Sequence, residues 1–139
     1  MSLSIRNQIA GIVTSITAGE AMSSVKVRLA GGQDITAAIT TDAAKELGLA
    51  EGTAVKALVK ATEVSLATAA VQGVSIRNQI PGTVVDVAAG PAMASVKVDV
   101  NGGGLTAAIT ADAANELGLA AGSSVVALIK ATEVSLAAA

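Results

Sequence analysis

Two basic side chains interrupt otherwise apolar segments of this chain. Arg6 lies in SIRNQI, and Lys60 lies in LVKATEVSL between apolar stretches. A cation in such a segment needs a partner if it is even partly buried. Ser4, Thr40 and Thr62 supply hydroxyl donors in or beside these and a third segment. Two positive charges surrounded by hydroxyl and backbone N–H donors suit a tetrahedral dianion, so the five residues are candidates for an oxyanion site.

The same set of residues occurs twice. Residues 4–32 align with residues 75–103, and residues 36–67 align with residues 106–137. The second copy of the candidate site consists of Ser75, Arg77, Thr110, Lys130 and Thr132. Of the other basic residues, Lys26 is kept as Lys97, whereas Arg28, Lys45 and Lys56 are replaced by Asp99, Asn115 and Val126. The basic residues of the candidate site are therefore kept where surface charges changed.

A carboxylate is the alternative partner for these cations. Glu63 and Glu133 are also present in both copies, close in sequence to Lys60 and Lys130. A pair between such a glutamate and Arg or Lys at a subunit interface would satisfy the cations without any ligand. The residues alone leave this alternative open.

The composition excludes several functional classes. The chain has no His and no Cys, so it lacks the usual general base, thiolate nucleophile and disulfides. Its net charge is −2 and it has no aromatic residue, which argues against binding nucleic acid. No phosphate-binding glycine loop is present, no apolar stretch is long enough for a membrane span, and no secretory signal is visible. We therefore expect a cytoplasmic protein that is not an enzyme and binds neither nucleic acid nor membrane.

Period-two patterns dominate the elements that must position these residues. Segments 11–16, 23–29 and 35–40 read as strands, and 53–66 reads as one bent strand or two. A short helix interrupts them: Thr41 or Asp42 is expected as N-cap, with the helix over 43–47 and Gly48 after its end. The second copy repeats this helix between Asp112 and Gly118. The pattern predicts an all-β fold with one short helix per unit, built as two tandem OB-like barrels at 1–68 and 72–139.

Small units with cores made only of Val, Ile, Leu and Ala are marginally stable alone. The short segment ATAAVQG at 67–73 joins the two units. We therefore expect extensive burial between units or subunits.

Three motifs carry a family resemblance. SIRNQIAG, ITTDAAKELGLAEG and VKALVKATEV, in this order and with close variants in the second copy, resemble the Mop domain, the molybdate-binding module of the TOBE group. Two such units in tandem resemble a molbindin of the two-domain type. The resemblance covers nearly the whole chain. It implies OB-like barrels, strand exchange between units and a homo-oligomer, namely a trimer, in the cytoplasm.

The resemblance also implies a ligand and its contacts. Molybdate or tungstate would bind, without a catalytic cofactor, at sites between units and subunits. By motif, the contacts are Ser4, Arg6, Thr40, Lys60, Ala61 and Thr62, and in the second copy Ser75, Arg77, Thr110, Lys130, Ala131 and Thr132. The two alanines of this set would offer only backbone N–H groups or packing. Ala43 and Ala113 stand where relatives often carry a serine donor.

The predicted function is binding, storage and homeostasis of molybdate or tungstate, with metal present only as the oxyanion. The alternative is an oxyanion-sensing regulatory module that acts through a partner protein. The sequence does not separate molybdate from tungstate, and it leaves open a pterin-bound form of the metal.

Overall fold

A computed structural model describes residues 2–139 of the chain. Within them the order of elements is strand-rich, with two α-helices of six residues each and two 3-10 turns. The strands are β1 Asn7–Ala18, β2 Met22–Leu29, β3 Asp34–Thr40, β4 Ala54–Val59, β5 Ser65–Ala67, β6 Asn78–Ala89, β7 Met93–Val100, β8 Gly103–Thr110, β9 Ser124–Ile129 and β10 Ser135–Ala138. The helices are α1 Thr41–Glu46 and α2 Ala111–Glu116, and the 3-10 turns are Ala61–Glu63 and Ala131–Glu133.

Each of the two sheets takes one strand from the other unit. The first sheet has the order β10-β4-β1-β2-β3 and the second has the order β5-β9-β6-β7-β8. Ser135 of β10 is the register partner of Leu58 in β4, and Ser65 of β5 is that of Leu128 in β9. The strand exchange that the family resemblance implies therefore occurs within the chain.

Both sheets curl towards closure. β3 contacts β10 and the second 3-10 turn, while β8 contacts β5 and the first 3-10 turn. β1 and β6 each carry a register shift, between Val13 and Ser15 and between Val84 and Asp86, and such bulges bend strands. The result is two half-barrels, which confirms the predicted OB-like, mainly β architecture with one short helix per unit.

One apolar core runs through both units. Inward residues of β2 alternate with outward ones: Val25 and Val27 are fully buried, whereas Lys26 and Arg28 are exposed. The buried side chains of both sheets form a single cluster. The expectation of extensive burial between units is confirmed. The shared core adds buried apolar area that each small unit, with only aliphatic side chains, would lack alone.

The helix boundaries differ from the prediction by one or two residues. Thr40 is the N-cap of α1, and its Oγ1 accepts a hydrogen bond from the N–H of Ala43; Thr110 caps α2 in the same way. Prediction of Thr41 or Asp42 as N-cap was wrong because Thr40 keeps the extended conformation of β3, as a cap residue does. Gly48 follows the helix at φ 62°, as expected.

The segment 53–66 forms two strands rather than one. The 3-10 turn Ala61–Glu63 separates β4 from β5, and it redirects the chain from the first sheet into the second. The equivalent turn Ala131–Glu133 returns the chain from the second sheet to the first.

Two glycine loops meet where the units touch. A Cβ atom on Gly31 would collide with the carbonyl oxygen of Asn101, and one on Gly102 would lie 2.6 Å from the Gly31 Cα. Gln33 Nε2 also donates to the Asn101 oxygen at 2.8 Å. This contact requires glycine at position 31 for space.

Candidate functional site

Arg6 and Lys60 leave the same end of one strand pair. Asn7 faces Val59 as the last pair of the β1–β4 ladder, so Arg6 and Lys60 are the next residue on each strand. Asn7 and Val59 are buried, 3% and 2% exposed, and side chains alternate between the two faces of a strand. Arg6 and Lys60 therefore leave the ladder at the same end, and both side chains are exposed.

The second unit repeats this arrangement. Asn78 faces Ile129 at the end of the β6–β9 ladder, and Arg77 and Lys130 follow them. Like charges directly opposite one another destabilise a strand pair. The chain thus places two adjacent cations at two related positions, and each pair calls for a compensating anion.

Among residues 2–139, no carboxylate forms an ion pair with these four cations. The ion pair found among these residues is Arg28 with Asp34, at 2.9 Å. The hydrogen bond from Arg28 lowers the pKa of the Asp34 carboxyl. Glu63 and Glu133 thus form no ion pair with the retained cations among residues 2–139, and the alternative of such a pair across a subunit interface stays a prediction.

The neighbours of the cations supply further donors. Arg6 folds over the preceding segment, with Nε donating to the Ser4 carbonyl at 3.4 Å and Nη2 donating to the Leu3 carbonyl at 3.3 Å. Ala61 and Thr62 begin the 3-10 turn, with Lys60 as its N-cap. Because the first N–H groups of a helical turn have no partner within the turn, they remain available beside the ammonium group.

Thr40 and Thr110 are tied to the site in a different way. Each caps a helix as a hydrogen-bond acceptor, which leaves its own hydroxyl proton free to donate. β3, which ends at Thr40, contacts the second 3-10 turn, and β8, which ends at Thr110, contacts the first. The structure therefore brings each threonine's strand to the closing motif of the other unit.

The candidate residues lie on the surface of a single chain. Ser4, Arg6, Thr40, Lys60 and Thr62 and their counterparts are exposed, while Ala61 and Ala131 are half-buried. Clefts of about 640 and 580 Å³ are lined by other residues. A single chain thus presents the cations without enclosing them.

Sequence reasoning missed the role of two buried asparagines. Asn7 Nδ2 donates to the Thr106 carbonyl at 2.8 Å, and Asn7 Oδ1 accepts from the Thr106 N–H at 2.7 Å. Asn78 makes the same two bonds to Thr36, at 2.8 and 2.7 Å. The signal was present in the repeated SIRNQI, where a polar residue kept in an apolar strand indicates a specific partner.

The glutamine of the repeated motif holds local backbone. Gln79 binds the linker through both amide atoms, donating to the Val71 carbonyl at 2.8 Å and accepting from the Val71 N–H at 3.0 Å. Gln8 donates to the Ile5 carbonyl at 3.2 Å. These bonds fix the segments that lead into Arg6 and Arg77.

No helix among residues 2–139 reaches the length and apolar character that crossing a bilayer requires.

Comparison with known proteins gives matches over both units. The TOBE domain model matches residues 3–66 and 74–136. The molybdenum-pterin-binding protein MopB of Rhodobacter capsulatus is 43% identical over 136 residues, covering 96% of this chain and 50% of MopB. The molybdenum transport protein ModE of Azotobacter vinelandii is 40% identical over 138 residues, covering 99% of this chain and 51% of ModE. This chain thus spans about half the length of these relatives.

A solved structure matches over the full length of both chains. It is the cytoplasmic molybdate-binding protein ModG with molybdate bound, at a TM-score of 0.96 and 37% sequence identity, with 100% of each chain covered. The fold of the present chain, including its exchanged strands, is therefore similar to that of a protein that binds molybdate.

Proposed function

This chain belongs to the TOBE domain family, with two tandem copies of the domain, and on that premise we propose that it binds molybdate or tungstate without catalysis, for storage and homeostasis. The observation that carries the proposal is the pairing of Arg6 with Lys60 and of Arg77 with Lys130. The two cations of each pair directly follow the last residues of one strand ladder, and no carboxylate of residues 2–139 is within ion-pair distance of them. ModG, which shares the fold at full length, is described as a molybdate-binding protein.

The proposed contacts are those named from the motifs. They are Ser4, Arg6, Thr40, Lys60, Ala61 and Thr62, and in the second unit Ser75, Arg77, Thr110, Lys130, Ala131 and Thr132. A dianion between guanidinium and ammonium removes their repulsion and forms charge-assisted hydrogen bonds. Hydroxyls and the free N–H groups of the 3-10 turns bind its remaining oxygens.

A second copy of the chain completes each site in this proposal. The candidate residues are exposed on one chain. Exposed charged groups alone bind an anion weakly, because water screens their charges. We propose a homo-oligomer, a trimer by family resemblance, in the cytoplasm, where ModG is described to act. Domain boundaries at 1–68 and 72–139 are part of the same proposal.

Binding is favoured over sensing through a partner protein. The match that covers all of ModG is to a protein described by its molybdate binding. Elemental analysis of the purified protein, with its mass in solution, separates the two: a molybdenum-rich homo-oligomer supports storage, and a stoichiometric second protein supports sensing.

Replacement of either cation tests the site. Arg6→Ala and Lys60→Ala are each expected to weaken molybdate binding roughly 10- to 150-fold, because a charge-assisted contact is worth about 1.5–3 kcal/mol. Isothermal titration calorimetry measures the affinity. Molybdate should also raise the melting temperature of the unaltered protein, since a ligand that binds only the folded state stabilises it.

Lys26→Ala is the matched control. Lys26 is an exposed cation of β2 in the same unit, so its loss changes the net charge equally without touching the proposed site. If the Arg6→Ala and Lys60→Ala variants bind molybdate as tightly as the Lys26→Ala variant does, the oxyanion binds elsewhere.

A further inference from the structure

We propose that Asn7 and Asn78 are positioning residues of the oxyanion sites, each fixing the adjacent arginine by a pair of hydrogen bonds to the other unit. The inference rests on the proposed function, since the arginines must bind the oxyanion. It concerns residues that would not themselves contact the ligand.

Each asparagine takes the place of a missing strand. Thr106 lies in β8, an edge strand of the second sheet whose inner neighbour is β7. Its N–H and C=O both bind the Asn7 side chain, at 2.7 and 2.8 Å, as a neighbouring peptide would in an antiparallel ladder. The amide of Asn78 does the same for Thr36 on β3, the edge of the first sheet.

Burial makes these bonds hard to replace. Asn7 and Asn78 are each 3% exposed, so water has little access when the amide is removed. Both the N–H and the C=O of Thr106 or Thr36 would then lose their partner, and an unpaired buried polar group is costly. The amides are therefore strong fixed points at the start of β1 and β6.

The fixed point determines where the arginine points. Arg6 directly precedes Asn7, about 3.8 Å away between Cα atoms, so the amide fixes the backbone from which the arginine side chain leaves. The 3-10 turn that follows Lys60 contacts the same strand, β8. The residues that flank both cations of the pair thus contact one strand of the other unit. Loss of the amide frees the strand end and leaves the arginine without a defined direction.

Asn7→Ala and Asn78→Ala test the inference in the full chain, with molybdate as the probe in titration calorimetry well below the melting temperature. Asn7→Ala should weaken the class of sites that contains Arg6 about 10- to 100-fold, as misplacement of a contacting group does. Sites that contain Arg77 should stay within about two-fold of the unaltered protein. Asn78→Ala should give the reverse pattern, with each class identified by Arg6→Ala and Arg77→Ala.

Val25→Ala is the control for lost stability. Val25 is a fully buried residue of β2 in the same core, so its truncation destabilises the fold without altering the amide pair. It should lower the melting temperature and leave both classes of sites within about two-fold of their original affinity. Asn7→Ser, with a shorter polar side chain, replaces Asn7→Ala if that variant does not fold.

The outcomes are distinct. If the unaltered protein binds neither molybdate nor tungstate, the proposed function fails and the inference fails with it. If it binds and Asn7→Ala binds equally well, only the inference is overturned. If Asn7→Ala weakens both classes alike, or no more than Val25→Ala does, the asparagines serve the fold alone and the inference is also overturned. Selective weakening of the Arg6 class supports it.

Discussion

A buried pair of hydroxyls distinguishes the two units at the level of single residues. Ser23 donates to Thr41 Oγ1 at 2.9 Å, and Thr41 donates to the Gly19 carbonyl at 2.8 Å. In the second unit both positions are alanine, Ala94 and Ala111. The two hydroxyls are thus present together or absent together, which is what the cost of one unpaired buried polar group demands.

A double-mutant cycle measures this coupling. Thr41→Ala alone leaves the Ser23 hydroxyl, 2% exposed, without its partner and should cost about 1–3 kcal/mol. Ser23→Ala with Thr41→Ala should cost less than the sum of the single changes. Urea unfolding measures the free energies. Ala94→Ser in the second unit is the matched reverse change, because it adds a hydroxyl where the partner position is Ala111. If the costs of Ser23→Ala and Thr41→Ala simply add in the double variant, the coupling is contradicted.

Exchanged strands cover an otherwise open edge of each sheet at the level of elements. β10 covers the outer edge of β4, and β5 covers the outer edge of β9. An uncovered edge presents unpaired N–H and C=O groups and invites association with other chains. Leu66 and Leu136 of these strands also pack on the shared core. Each short strand therefore protects the unit from which it does not come.

Removal of residues 135–139 tests this role of β10. The exposed β4 edge should lose hydrogen-exchange protection over Ala54–Val59, while Ser124–Ile129 of the second sheet keeps its own. Removal of Ala139 alone is the control, because it removes one backbone bond, from the Ala139 N–H to the Ala54 carbonyl at 3.3 Å, and keeps the β10 ladder that ends at Ala138. Equal loss of protection in both sheets would show that the sheets unfold only as one body.

Local sequence patterns predicted where the strands and helices lie better than they predicted which segments contact one another. β2 and β3 follow from period-two alternation, and the helix caps were off by one residue because Thr40, Thr41 and Asp42 all suit a cap. Strand exchange came from family resemblance rather than from the residues. The partners of Asn7 lie in another unit, 99 residues away along the chain, and no local pattern encodes a contact at that distance.

The candidate site was predictable in part for the same reason. Repetition singled out Arg6, Lys60 and their counterparts, and ladder register places each pair together. Repetition could not show that Glu63 makes no ion pair with them within one chain, nor that Thr40 belongs to a strand in contact with the other unit's closing motif. Those facts depend on how the sheets curl.

Close contact of two glycine loops joins the units at the level of the whole molecule. Gly31 and Gly102 approach each other so closely that neither accepts a Cβ atom without movement. The loop positions in turn constrain β3 and β8, which follow them and carry Thr36 and Thr106. The relative placement of the two units therefore depends on residues far from the cation pairs.

Gly31→Ala should loosen this contact. The added methyl group meets the Asn101 carbonyl, so we expect a loss of about 1–3 kcal/mol of stability from overpacking. Gly103→Ala is the control, because a Cβ at Gly103 meets nothing within 4 Å. Thermal unfolding of both variants measures the difference, and equal melting temperatures would show that the loops separate without cost.

The exchange of β5 and β10 also affects the order in which the two units can fold during synthesis. The first sheet needs β10, Ser135–Ala138, as its edge strand, so it stays incomplete until those residues emerge from the ribosome. Domains usually fold one after another during synthesis, the N-terminal one first. Here the earlier unit must wait for the later one, and the nascent chain carries an open strand edge from the emergence of β4 until that of β10.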